Sequence, residues 1–276
     1  MATKDYAAIA RAKIRKPSDS KRKPRILVYG RNKKGKTRFC STAPGVLIID
    51  PESGTDHETK IDPSVWPVDN WDDMTDVYNF LRTRAPNPHT KEPIQWIALD
   101  GITRIHNMAL RWVMNQEEER NLDRKPGQVD KRDWGRANEM VKGMLANFHT
   151  IRDVGIIITA QERMREVEAM SEQDDDAEQA AFIFVPDLPN GARSQVNSIV
   201  DVIGRIYTVR GEFTKRVRDK DGNVSTVDYQ VQRRLWIGPH ESYDTGYRSE
   251  WTLPDFVREP TVPRLITVMR EGIKGK

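Results

Sequence analysis

The chain has 276 residues, 37% hydrophobic and 31% charged, which is enough apolar mass for one large domain or two small ones. Its longest apolar runs, such as Val154–Ile158, fall far short of the ~20 residues a membrane span needs, and no apolar run follows the basic N-terminus as a secretory signal requires. One cysteine, Cys40, excludes an internal disulfide or a multi-cysteine zinc site, and the net charge of +4 is mild, so a reducing cytosol is the expected compartment.

The charge is unevenly spread. Residues 1–24 form a basic arm in which Tyr6, Ile9, Ala10 and Ile14 fall on one helical stripe, ended by Lys16-Pro17-Ser18. Arg25–Tyr29 reads as a buried strand, Val46–Ile49 as a second, Trp96–Leu99 as a third and Gly155–Ile158 as a fourth. Short continuous apolar runs of this kind are expected of a parallel sheet covered on both faces. Ile102, Ile105, Met108, Ala109, Trp112 and Val113 mark a helix after the third strand. A second helix carries Trp134, Ala137, Met140, Val141, Met144, Leu145, Phe148 and Ile151, with Asp133 at the N-cap position. The stripe position makes Trp134 a core residue rather than a stacking platform. Between these helices, Glu117–Lys131 reads as a charged loop. Glu162–Glu178, with Glu166, Glu168, Glu172, Asp174, Asp175 and Asp176, is expected to be an acidic, mobile loop that repels nucleic acid. Val202–Arg216 and Val224–Ile237 are strand-like and joined through the Asp-Gly signal of Asp219–Asn223, and a short helix falls near Pro263–Glu271. Arg205, Arg210, Lys215, Arg216, Arg218, Arg233 and Arg234 decorate that hairpin.

The strongest motif follows the first strand: Gly30, Arg31, Asn32, Lys33, Lys34, Gly35, Lys36 and Thr37, with Arg38 behind them. Glycines let the backbone curl so that its N–H groups point at phosphate oxygens, and a helix beginning near Lys36 adds the positive end of its dipole. Lys36 can reach terminal phosphates and the Thr37 hydroxyl can ligate Mg2+. Asp100, closing the third strand, is placed to hold the metal's water shell. Residue 101 is glycine, so no glutamate follows the metal acid. Glu52, just past the second strand, is the candidate to orient and deprotonate a water, with Asp50 and Glu58 as alternatives. Gln161, at the end of the fourth strand, can hydrogen-bond a terminal phosphate. The histidines show no metal-site pairing.

Taken together, the phosphate loop, the glutamate after the second strand, Asp100-Gly-Ile-Thr103 and the strand-terminal Gln161 resemble RecA-like ATPases. Asp133–Lys142 and Val185–Pro189 resemble the short phage-encoded members, the AAA-type phage nucleotide-binding proteins that include single-strand annealing recombinases. The resemblance spans roughly residues 25–250. It implies an α/β fold: a RecA-type P-loop NTPase core with a central, mainly parallel sheet over 25–210, after the arm of 1–24. A C-terminal β-hairpin and tail, 211–276, pack on it. It implies ATP and Mg2+, with Lys36 and Thr37 on phosphate and metal, Asp100 on the metal, Glu52 on the water and Gln161 as sensor. Its implied partners are single-stranded DNA, further copies of the chain in a ring or filament, and a single-strand-binding protein, in the host cytoplasm and not on a membrane. The function so implied is ATP-dependent binding of single-stranded DNA in phage recombination or replication. A packaging- or helicase-type motor and a nucleotide-gated scaffold with negligible hydrolysis are the alternatives. RecA-type sites commonly take a cation from a neighbouring subunit. Arg248 is the first candidate for it and Arg233 and Lys215 follow, while the stripe Tyr6–Ile14 is the candidate clasp.

Overall fold

The computed structural model of the chain describes residues 5–14, 16, 22–151, 153–167, 181–218 and 224–272. Four apolar runs became fully buried strands: β1 (Arg25–Tyr29), β2 (Val46–Asp50), β4 (Trp96–Asp100) and β5 (Gly155–Ala160). Together with β3 (Ser64–Pro67) they pair in parallel in the order β1-β5-β4-β2-β3. Beyond β1 the sheet continues through β8 (Val202–Arg218), which is parallel to β1. It then turns antiparallel through β9 (Val224–Trp236) and β11 (Phe256–Arg258), while β10 (Gly246–Tyr247) pairs with the start of β8. The expected α/β class, the mainly parallel sheet and the C-terminal hairpin are therefore all present.

Side chains alternate across the strands, so each contributes to two cores. Leu27, Tyr29, Ile49, Leu99 and Ile158 face α3 (Trp71–Thr83), α4 (Ile102–Arg120), α5 (Lys131–His149) and α6 (Asn190–Ile199). Ile26, Val28, Ile48, Ala98 and Ile157 face α2 (Lys36–Ser41) and α7 (Val262–Glu271). At the first turn of α7, the Val262 N–H donates to the Thr42 hydroxyl at 2.9 Å, tying the C-terminal helix to the end of α2.

Several expectations are corrected. Asp130, not Asp133, is the N-cap of α5. Asp133 is the third helical residue and its carboxylate reaches back to the Asp130 N–H at 2.8 Å. The preceding loop is shorter than Glu117–Lys131 because α4 continues to Arg120. Trp134 is not core: it is 43% exposed and stacks on His106 of α4 at 5.7 Å. The reason is its place in the first turn of α5, ahead of the buried stripe that begins at Ala137. Glu162–Glu178 is not a loop throughout, because β6 (Glu162–Val167) pairs antiparallel with β7 (Ala181–Pro186); residues 168–178, with most of the acids, lie outside the described residues, as does the Asp-Gly turn of 219–223. β8 runs through the 210/211 boundary, with a register shift against β9 between Arg210 and Phe213. The helix α1 (Tyr6–Lys13) forms on the expected stripe and buries none of its residues.

Asp133 gives a stability test. It is buried, its carboxylate is bound by both Nη atoms of Arg124, and that hydrogen bond holds its pKa below the usual aspartate range. A depressed folded pKa contributes stability that is complete above the unfolded value, about 3.9, and lost as pH falls through the folded value. Asp133→Asn is expected to lower Tm at neutral pH and to converge on the parent chain in acid, as thermal unfolding over a pH series would record. Parallel curves at all pH values would remove the ion pair from this role.

Candidate phosphate-binding and hydrolytic site

The carboxyl ends of β1, β2, β4 and β5 meet in one crevice, the edge where open α/β sheets bind ligands. β1 leads into the loop Gly30–Gly35, and α2 starts at Lys36. Gly30 lies so close to β8 that a Cβ there would sit 2.3 Å from the Ile206 carbonyl oxygen, and Gly35 has φ 99°, open to glycine at little cost. These two constraints curl the loop. Lys36 Nζ donates to the carbonyls of Gly30 (2.9 Å) and Arg31 (3.1 Å), so its ammonium sits across the mouth of the loop. Burial lowers the Lys36 pKa, while Asp100, Glu52 and Glu162 oppose that shift. Arg31, Asn32, Lys33 and Arg38 are exposed at the rim, and Arg38 pairs with Glu58 at 3.2 Å.

Asp100 is the hub. Its Oδ2 accepts from the Thr37 hydroxyl at 2.6 Å and its Oδ1 from the Thr159 hydroxyl at 2.7 Å; Thr159 is its register partner on β5. Burial raises the Asp100 pKa, and the two hydroxyl donors oppose it. Among the described residues no group of three or more His, Cys, Asp or Glu could cage a metal. One hydroxyl beside one carboxylate is the sparse donor set that suits Mg2+, which keeps several waters and takes phosphate oxygens as further ligands.

Glu52 reaches this hub from β2. Its backbone N–H donates to Asp50 Oδ1 at 3.0 Å, and Asp50 Oδ2 accepts from the Thr55 N–H (2.9 Å) and hydroxyl (2.5 Å). The Asp50 clamp tightens the turn into a 3-10 helix, Gly54–His57, and puts Gly54 beside Thr37. Gly101 has φ 117°, and a Cβ there would lie 3.4 Å from Glu52 Oε1. The carboxylate absent from position 101 is thus replaced by one from the neighbouring strand, in the space glycine leaves. Burial, then the Asp100 charge, raises the Glu52 pKa; Lys36 and Arg104 pull it down.

The structure brings Lys36, Thr37, Glu52 and Asp100 together. Gln161 is at the same sheet edge, with its carbonyl accepting from the Asp187 N–H at 2.8 Å. Arg248 is elsewhere. It follows Tyr247, which pairs with Val202, itself opposite Ile26 at the start of β1, while the phosphate loop follows the end of that strand. Its Nη2 donates to the Ser198 carbonyl at 3.0 Å. Arg233, named as a candidate cation for a neighbour's site, lies against this chain's own loop, its Nε 2.9 Å from where a Cβ on Gly35 would be. The side chain of Lys215 lies outside the described residues.

Sequence reasoning missed the groups that hold the loop from β6 and the hairpin. Lys34 Nζ donates to the Thr208 hydroxyl at 3.1 Å, and Thr208 pairs across the hairpin with Arg233. Glu162 has a side chain only 4% exposed and bridges Arg31 Nε (3.0 Å) to Arg205 Nε (2.8 Å). The only sequence signal for these contacts is the strand-like hairpin itself, since the partners are separated by more than forty residues at least.

The sequence model of a family described as an AAA domain matches residues 22–249. Among solved structures, the chain is similar to the flagellar accessory protein FlaH from Methanocaldococcus jannaschii, with 13% identity, 87% of each chain covered and a TM-score of 0.34. No curated protein sequence matches. No helix among the described residues is long and apolar enough to cross a membrane.

Proposed function

This chain belongs to the AAA-domain family of P-loop nucleotide hydrolases, and from that premise we propose that it hydrolyses ATP with Mg2+ and couples turnover to single-stranded DNA in phage recombination or replication. The observation that carries the hydrolytic part is the convergence of Thr37, Asp100 and Glu52 beside Lys36 at one sheet edge. In this reading the loop N–H groups and Lys36 bind the terminal phosphates, with Lys36 leaving its two carbonyl partners to do so. Thr37 and Asp100 hold Mg2+, which when bound neutralises charge on the phosphate oxygens. Glu52 accepts the proton of the attacking water, and its raised pKa suits a base that works near neutral pH. Gln161 contacts the terminal phosphate and passes its presence to β6.

The DNA and assembly parts rest on the family resemblance together with two surfaces. The apolar stripe of α1 is exposed at Tyr6 and Ile9 and is a candidate clasp onto a second copy. Arg248 is exposed at the sheet end opposite its own phosphate loop, the end that a head-to-tail neighbour would present to the next site.

The test is ATP turnover with and without single-stranded DNA, with Mg2+ or with chelator, and with mass measured under the same conditions. Lys36→Ala is expected to lose saturable ATP binding, as read by titration with a fluorescent analogue. Turnover that needs Mg2+ and rises with single-stranded DNA supports the reading. Tight binding with no turnover would support the scaffold instead, and directional strand displacement would support the motor.

A further inference from the structure

Past β1 the sheet loses its helical cover on one face. Ile206, Leu235 and Val257 point into the core with α2 and α7. By strand alternation, Arg205 and Tyr207 of β8, Arg234 and Trp236 of β9, and Phe256 and Arg258 of β11 occupy the opposite face. Tyr207, Arg234, Trp236 and Phe256 are partly exposed and Arg258 is exposed, whereas the Arg205 side chain is only 11% exposed. At the core end Arg205 is covered by Phe184 of β7 and by Tyr243, and Trp236 meets the His240 and Tyr243 rings edge-on at 5.0 and 5.9 Å.

The face alternates rings with guanidinium groups. Arg205 lies 4.4 Å from the Tyr243 ring, Arg234 lies 4.6 Å from Phe256 and Arg258 lies 5.7 Å from Phe256. Trp236 is stacked against Phe256 at 5.8 Å, and His240 against Tyr243 at 3.7 Å. Half-exposed flat rings on one strand face are unusual for a surface that only meets water, and such patches mark interaction sites. The chemistry that matches alternating rings and planar cations is a chain of bases joined by phosphates, with bases stacking on the rings and phosphates pairing with arginine. A duplex hides its base faces and cannot use the rings. Acidic groups lie at both margins, Glu241 and Asp244 beside Tyr243 and Glu259 after Arg258, and the row Tyr207, Arg234 and Arg258 runs across the three strands between them.

We propose that this face of β8, β9 and β11 binds single-stranded nucleic acid, with bases stacking on Tyr207, Trp236 and Phe256 and phosphates paired with Arg234 and Arg258. The inference rests on the single-strand reading above and gives it a location on the described strands of the C-terminal hairpin. It also supplies a route to the phosphate loop. Arg205 at the head of the face holds Glu162, and Glu162 holds Arg31 of the loop.

The experiment titrates the full chain into labelled oligodeoxythymidylate, oligouridylate and a DNA duplex, with and without ATP, over a salt series. Arg234→Glu with Arg258→Glu is expected to weaken single-strand binding about tenfold or more and to reduce the log–log salt slope by about 1.4, from two phosphate contacts at ~0.7 each. Tyr207→Ala is expected to weaken binding about fivefold with the slope unchanged, because stacking releases no counterion. Arg234→Lys with Arg258→Lys, which keeps the charge, should keep the slope. Retained binding of a fluorescent ATP analogue shows that each variant is folded. Equal affinity in the parent chain and the glutamate variant overturns the face and leaves the single-strand reading standing. A parent chain that binds no single strand in either nucleotide state sinks both. Duplex bound as tightly as single strand overturns the stacking role, and self-association abolished by the glutamate variant, with no oligonucleotide bound, would make the face a contact between copies.

Discussion

Glu52→Gln is expected to lower ATP turnover by about 10²-fold or more while nucleotide affinity stays nearly unchanged. Glutamine keeps the shape and can still hydrogen-bond a water, but it cannot take the proton. Glu52 lies beside Gly101 and acts on Lys36 electrostatically, so its loss leaves the phosphate cradle of Gly30–Thr37 intact. Lys36→Ala should show the reverse, with affinity lost first. The pH profile adds a second readout. Burial and Asp100 raise the Glu52 pKa, so the base stays protonated to a higher pH than an ordinary glutamate. The residual activity of Glu52→Gln should lack the acid limb that titration of this carboxylate gives kcat in the parent chain. Unchanged turnover in Glu52→Gln would remove the residue from the chemistry.

Much of this site was legible because its parts are local in sequence. The phosphate loop is one contiguous motif after a buried strand, and Asp100 and Gln161 close apolar runs whose length marks strand ends. β1, β2, β4 and β5 are buried on both faces, so continuous Ile, Leu and Val announce them. β3 is short, lies at the sheet edge and ends in Pro67, so no apolar run announces it. The signal for α3 is present: Asn70 followed by Asp73 is a reciprocal cap, and Met74, Val77 and Leu81 form its buried side. β6 was illegible for another reason. Arg163, Met164, Arg165 and Glu166 contain no apolar pattern, and the strand exists because its backbone pairs with the apolar β7. Thr159, Glu162 and Arg205 were missed as site residues, and Asp50 and Arg233 were named in other roles, as an alternative base and as a neighbour-supplied cation, because what these residues do depends on contacts between elements.

Those contacts also change which cations belong to which site. Arg233 lies on its own Gly35, and Lys34 is tied to Thr208 directly across the hairpin from it. The root of the β8–β9 hairpin therefore grips the phosphate loop from two adjacent positions. Glu162 attaches the start of β6 to the same loop through Arg31. Each of these elements is thus joined to Gly30–Gly35 by at least one direct polar or van der Waals contact. Arg248, exposed at the opposite end of the sheet, is the first residue to substitute in a test for a cation supplied from outside.

Asp50→Ala is expected to reduce kcat about tenfold to 10²-fold with the KM for ATP little changed, because displacing a catalytic group by about 1 Å can cost that much. Asp50 is 3% exposed, and its oxygens accept from the Glu52 N–H, the Thr55 N–H and the Thr55 hydroxyl. Those bonds occupy both of its oxygens and fix where the residue after Pro51 begins. Glu58 is likewise engaged, by Arg38. Of the candidate bases Asp50, Glu52 and Glu58, Glu52 is the one beside Gly101, and on this reading Asp50 is a positioning residue that acts through it. This assignment has a consequence that simple loss of stability does not share. If Asp50 works only by placing Glu52, removing it from a chain that already carries Glu52→Gln should cost almost nothing further in kcat, since residues that act as a unit are not additive. The measurement is kcat for the parent chain, the two single variants and the double variant, with ATP binding confirmed for each. A double variant slower than Glu52→Gln by the full factor seen for Asp50→Ala alone would give Asp50 a role of its own. A fully active Glu52→Gln beside an inactive Asp50→Ala would transfer the base to Asp50 itself.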